Sequence, residues 1–269
     1  LSIRRQRQMC IRDRSCNLKA IFPLAASNPL ATYSWEAGTV SRGNNDEKKY
    51  EVPAHQWFDL TDASGEFGVT VLAPFKYGSD KPDDNTLRLT LLRTPGVHSD
   101  DYADQASQDW GRHEISYGLA GHAGDWRDAG SYWQAYRLEQ PLIAFNAGKH
   151  GGNGRSMSLV EVDHPGVRVL AVKQAEDSSE VIVRLVELDG TAKEQVAVSF
   201  GLPLLGAHEV NGQEYETGPA NVSNGQLLTG FGPYQLRSFA LRFADPDSFP
   251  PVPTPLKLPY NVAVATNDG

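Results

Sequence analysis

Along most of the chain apolar and polar residues alternate with period two, the spacing that sends successive side chains to opposite faces of a β-strand. In residues 66–72 Phe67, Val69 and Val71 share one face. In residues 86–92 Leu87, Leu89 and Leu91 do the same while Arg88 and Thr90 face the other way, which predicts sheets with one wet side. Similar runs predict strands at residues 49–59, 113–119, 156–162, 167–174, 180–188, 195–200 and 236–243. In the last of these Arg237, Phe239, Leu241 and Phe243 share a face, so the core side begins with a cation. Between the two leucine- and valine-rich runs lie residues 74–85, which hold Lys76, Tyr77, Gly78, Asp80, Pro82, Asp83 and Asp84. This stretch predicts a loop too long for a tight hairpin, and loops of that length tend to carry function.

Helix is scarce. Residues 125–142 offer a turn or two, with Trp126, Trp133, Tyr136 and Leu138 at partial helical spacing before Pro141 stops the run. The pattern therefore predicts an all-β fold of two mainly antiparallel sandwich units. The first takes residues 16–146 and the second residues 156–245, with a Gly-rich linker at 147–155. Residues 246–269 are punctuated by six prolines and predict an extended tail with one more strand from Leu256.

Residues 1–15 stand apart, being Arg-dense and without period. A basic nucleic-acid arm, a transit peptide and a translated cloning or library sequence all fit such a string; it lacks the Ser content and amphipathic face of a transit peptide. It is set aside as non-native or unstructured. Residues 1–14 carry five Arg against Asp13, a net +4 within a chain of −8, so the remainder is at −12. An acidic body with no basic stripe argues against nucleic-acid binding. No run approaches the roughly 18 apolar residues of a membrane span. With Cys10 in the set-aside segment, Cys16 has no partner for a disulfide, which favours a reducing, cytoplasmic setting.

The seven histidines include no i, i+4 pair of the kind that holds zinc. His113 with Glu114, or His122 with Asp125, offers only a two-residue match. No nucleophile elbow, phosphate loop or dinucleotide fingerprint occurs, and no carboxylate pair is marked by its local sequence. Trp57, Trp110, Trp126, Trp133, Tyr117, Tyr132 and Tyr136 could stack on sugar rings, with core packing the weightier reading. Asn221-Val-Ser223 fits a glycosylation acceptor, a frequent tripeptide with no secretory signal beside it.

Several ordered blocks change this picture. Glu51-Val-Pro-Ala-His-Gln-Trp-Phe-Asp-Leu60, Phe75-Lys-Tyr-Gly78, Leu87-Arg-Leu-Thr-Leu-Leu-Arg-Thr-Pro95 and His113-Glu-Ile-Ser-Tyr-Gly-Leu-Ala-Gly-His-Ala-Gly-Asp-Trp126 closely resemble the C-terminal β region of glycoside hydrolase family 38 α-mannosidases, nearer the cytosolic and bacterial members. Residues 171–177, 181–187 and Leu258-Pro-Tyr260 extend the match. The resemblance implies a supersandwich portion followed by a smaller sandwich. It also implies a full-length retaining hydrolase of α-linked mannose, with a carboxylate nucleophile, a carboxylic acid/base and a zinc ion. Those groups belong to the family's N-terminal catalytic domain, which this sequence does not contain. No catalytic residue, metal ligand or cofactor is therefore assigned here, and the chain alone is expected to be inactive. The implied partners are that catalytic domain and α-mannoside glycans, with no nucleic acid and no membrane. The pattern departs from its relatives at Ala73-Pro-Phe75, where they typically place Asn-Asp. Within the 74–85 stretch Lys76, Tyr77 and Asp80 are the candidate substrate-binding residues, since a cation, a ring and a carboxylate suit hydroxyl bonding and C–H stacking on mannose. The alternative is an autonomous carbohydrate-binding or adhesion module.

Overall fold

The computed structural model describes residues 17–94, 111–144, 146 and 158–244. Before the helix come β1 (Asn17–Pro23), β2 (Ala31–Trp35), β3 (Gly38–Arg42), β4 (Val52–Pro53), β5 (Trp57–Thr61), β6 (Phe67–Leu72), β7 (Gly78–Asp83), β8 (Thr86–Arg93) and β9 (Gly118–Ala123). Helix α1 spans Ser131–Glu139. After it come β10 (Val160–Val162), β11 (Val167–Gln174), β12 (Val181–Glu187), β13 (Lys193–Phe200), β14 (Leu204–Val210), β15 (Glu216–Pro219), β16 (Asn221–Ser223), β17 (Gln226–Phe231) and β18 (Leu236–Phe243).

The fold is all-β and antiparallel, in two sandwiches. In the first, a β1-β8-β7-β4 sheet faces a β3-β2-β5-β6-β9 sheet. Alternate residues of each strand meet between them: Phe22, Tyr33, Phe58, Leu60, Val71, Leu87 and Leu89 form one buried cluster, with Tyr33 and Phe58 stacked at 5.7 Å. In the second, a β10-β13-β17-β16 sheet faces a β11-β12-β18-β14-β15 sheet over Val183, Leu185, Val198, Leu227, Phe239 and Leu241. Strands β11 and β18 occupy the bounds that their alternation predicts. Arg237, the cation on the core side of β18, lies where its guanidinium reaches Glu209 Oε1 at 2.7 Å and the Gly230 carbonyl at 2.8 Å.

Four expectations need correction. Residues 74–85 are not one loop. A short connection leads into β7, and Asp84-Asn85 closes a tight hairpin onto β8. The 49–59 run is broken into β4 and β5, and the strand expected at 113–119 begins only at Gly118. The β5-β6-β9 surface is also not wet. Trp57, Leu72, Trp126, Tyr132 and Ala135 make a second buried cluster there, under α1. The 1–15 segment, the 147–155 linker, the 246–269 tail with its strand, and Trp110 lie outside the described residues.

A buried polar network fixes the helix to this surface. The Asp59 carboxylate accepts hydrogen bonds from Thr61 Oγ1 at 2.7 Å, Thr70 Oγ1 at 2.6 Å and His122 Nε2 at 2.8 Å. Thr70 spends its proton on Asp59, so Ser131 at the start of α1 donates to Thr70, at 2.6 Å. Residue 68 must be glycine for this to assemble: a Cβ there would stand 2.6 Å from the His122 ring. The helix ends at Glu139, two residues before Pro141, whose ring disfavours helical backbone in the residue ahead of it.

The connection from α1 to the second sandwich is direct. Trp133 Nε1 donates to the Pro165 carbonyl at 2.8 Å, Arg127 Nε to the Asp189 carbonyl at 2.7 Å, and Arg168 lies 5.0 Å over the Tyr136 ring. On the other side Tyr234 Oη and Thr39 Oγ1 are 2.6 Å apart. Tyr234 adopts a left-handed backbone, φ 55°, and its N–H is held by the buried Glu187 carboxylate at 2.8 Å.

His122 gives the network a measurable pH dependence. Its hydrogen bond to Asp59 raises its pKa above the ordinary value of about 6.5, burial opposing. Its second nitrogen lies 3.2 Å from the Gly124 carbonyl, so the imidazolium satisfies both acceptors. The stability it contributes is complete below the unfolded pKa and is lost as pH rises through the raised folded value. Wild type should exceed His122→Gln by about 1–3 kcal/mol at pH 6 in urea unfolding, and the gap should narrow towards pH 9. A gap that stays constant with pH would contradict this.

Candidate functional site

A groove of about 590 Å³ lies at the β4 edge of the first sheet. Its floor comes from β4, β7 and β8, and its lip from the connection between β6 and β7. That connection is tied down at both ends, by Ala73 N–H to the Gln56 carbonyl at 2.8 Å and Ala54 N–H to the Tyr77 carbonyl at 2.9 Å. Between them Lys76 N–H returns to the Ala73 carbonyl at 3.3 Å. Pro74 in the second position and a positive φ of 69° at Phe75 in the third are the marks of a type II turn. Such a third position favours Gly or Asn; here it carries a phenylalanine whose ring is 67% exposed.

Lys76 and Tyr77 both line the groove, with Glu51 and Arg93 across from them. Glu51 is already engaged: it accepts from Thr90 Oγ1 and from Asn17 Nδ2 at 3.3 Å, and Lys19 Nζ lies 3.5 Å away. Gly78 makes that approach possible, since a Cβ on residue 78 would stand 2.4 Å from the carboxylate. Neither Lys76 nor Arg93 has an acidic partner among the described residues. The groove thus presents two available cations, one neutralised carboxylate and two exposed rings.

Asp80 does not join them. Its carboxylate is fully buried beside β1 and β8, where it accepts from Arg88 Nε at 2.5 Å, from Asn45 Nδ2 at 3.1 Å and from Lys19 Nζ. The next residue, Lys81, is buried too, its ammonium donating to Asn44 and to the Asp83 carbonyl at 2.7 Å, and burial lowers its pKa. These residues hold β7 in place; Lys76 and Tyr77 sit where that strand begins.

Most of the other rings singled out in the sequence belong to packing. Trp57, Trp126 and Tyr132 are buried under α1, Trp133 and Tyr136 lie where α1 meets the second sandwich, and Tyr117 packs edge-on to Phe22 at 5.7 Å. Two further rings, half-buried His55 and exposed Trp35, lie beside Tyr77. His55 lies 6.1 Å from Tyr77 and 4.7 Å from Trp35, whose other neighbour is the Arg42 guanidinium at 5.7 Å. A signal was available in Trp35, a tryptophan standing directly before the Glu36-Ala37 hairpin turn.

Metal ligation finds no support in the geometry. Both nitrogens of His122 are occupied by Asp59 and Gly124, while Asp125 accepts from the Arg127 N–H at 2.7 Å and its guanidinium at 2.9 Å. Among the described residues no three His, Cys, Asp or Glu side chains converge, so they do not fit a zinc site.

Residues 6–103 match the glycosyl hydrolases family 38 C-terminal domain, and residues 166–239 match the family 38 C-terminal beta sandwich domain. The chain belongs to the C-terminal β region of glycoside hydrolase family 38. It is 34% identical over 239 residues to alpha-mannosidase 2C1 of Mus musculus and 32% identical over 239 to that of Homo sapiens, in both cases across 85% of this chain. It spans 22% of the length of these relatives. A solved family 38 protein from Enterococcus faecalis shares the fold, with a TM-score of 0.69 and 20% identity, over 84% of this chain and 26% of that one. Family membership accounts for the two sandwiches.

The contrast between Asp80 and Lys76 is testable in this family 38 chain. Asp80→Asn removes a buried charge that two cations share and should cost about 3 kcal/mol or more, whereas Lys76→Ala should stay within about 0.5 kcal/mol of wild type. Chemical denaturation measures both; equal effects would contradict the placement of Asp80.

Proposed function

We propose that this chain serves as the C-terminal β region of an α-mannosidase, bracing a catalytic domain carried elsewhere in the parent polypeptide and contributing one rim of its sugar cleft. The observation that carries the reading is the groove, where Tyr77 offers a ring face and Lys76 an available donor on a connection anchored to the chain between β4 and β5. A mannose unit needs that combination, a flat surface for its C–H face and donors for its hydroxyl oxygens. The names of the curated relatives agree with the reading. In it the nucleophile, the acid/base and the zinc ion belong to the catalytic domain, and the present residues bind and orient substrate. The chain by itself is inactive, and its setting is cytoplasmic.

The test is kinetic. In the full-length enzyme, Tyr77→Ala or Lys76→Ala should lower kcat/KM for an α-mannoside by about tenfold, chiefly through KM, with an unchanged melting temperature. Unaltered kinetics, or a loss accounted for by unfolding, would return both residues to a structural role.

A further inference from the structure

We propose that the rings leading away from Tyr77, His55 and then Trp35, form a second sugar position beyond the groove whose lip Phe75 and Tyr77 make, so that this surface takes an oligosaccharide of α-linked hexoses. The inference rests on the reading of Lys76 and Tyr77 as sugar contacts and extends it along the molecule.

The first observation is Phe75. A bulky side chain in the left-handed region is an outlier on steric grounds, and strain of this kind gathers at ligand-binding positions. Asparagine or glycine would remove the strain, and a polar residue would remove the exposed ring. The position carries both costs, and what they yield is an aromatic face at the lip of the groove.

The second observation is the continuity of the rings. From Tyr77 the step to His55 is 6.1 Å and from His55 to Trp35 is 4.7 Å, so an aromatic track continues from the groove onto the β2–β3 hairpin. Trp35 is 43% exposed, and the Arg42 guanidinium braces it from one side. Arg42 also donates to the Pro53 carbonyl, which ties this brace to a residue of the groove floor. A pyranose on Tyr77 can be followed by a second on the Trp35–His55 pair, with Lys76 and Arg93 as hydroxyl donors at the groove end.

The experiment titrates this chain with methyl α-mannoside and with a linear α-linked mannotriose, followed by ligand-observed NMR. The trisaccharide should bind about tenfold more tightly than the monosaccharide. Trp35→Ala should erase that preference while leaving monosaccharide binding in place, and Phe75→Asn should weaken the binding of both sugars. Asparagine suits the left-handed backbone at position 75, so the melting temperature of Phe75→Asn should equal or exceed that of wild type while its sugar affinity falls; Trp35→Ala is the variant that decides the second position. Equal affinity of wild type for the two sugars, or a preference that survives Trp35→Ala, would overturn the second position alone. Binding of neither sugar would overturn the second position together with the sugar-cleft reading.

Discussion

The Asp80 carboxylate, buried on β7 with Lys19 of β1, Arg88 of β8 and Asn45 around it, is the constraint on which the candidate site depends. A fully buried carboxylate is tolerable only where donors replace its water, and here they come from two neighbouring strands and the chain ahead of β4. Once Asp80 is fixed, the course of β7 is fixed with it, and the preceding connection has a defined place to end. The lip of the groove is the consequence. Lys76 and Tyr77 are held at the sheet edge by a strand that has little apolar reason to exist.

The same device recurs where the layers meet. Asp59 gathers Thr61, Thr70 and His122 beneath α1, and Glu187 gathers the N–H groups of Asp189, Gly190 and Tyr234 at the end of β12. Each carboxylate organises a turn or a helix that touches the other sandwich: Ser131 leads into the helix that contacts Pro165, and Tyr234 reaches Thr39. Apolar packing builds each sandwich, and buried carboxylates determine how the connecting pieces lie against them. Removing water from three acids requires many matched donors, which restricts the arrangement more sharply than apolar contact does.

Periodicity made the sandwich strands legible because their sequence obeys the burial they experience. Val183 and Leu185, or Phe239 and Leu241, share the inner face that their spacing predicts. Where burial is polar that correspondence fails. Gly78-Ser-Asp-Lys-Pro-Asp83 contains no β-branched or aromatic residue and reads as a loop, yet Ser79, Asp80 and Lys81 are all buried. Asp80 for that reason looked like a surface ligand and proved to be an internal tie. Tyr77 and Lys76 were legible as groove residues because a ring and a cation beside Gly78 keep their exposure in either conformation. Trp35 and His55 were not, since only the folded chain brings them beside one another and beside Tyr77.

Hydrogen exchange of the backbone amides in β7 tests this dependence most directly. A strand paired to β8 on one side and β4 on the other should protect the Ser79–Lys81 amides about as strongly as those of Leu87 and Leu89, and Asp80→Asn should release the β7 amides first. Fast, loop-like exchange of β7 in the wild-type chain would contradict the account.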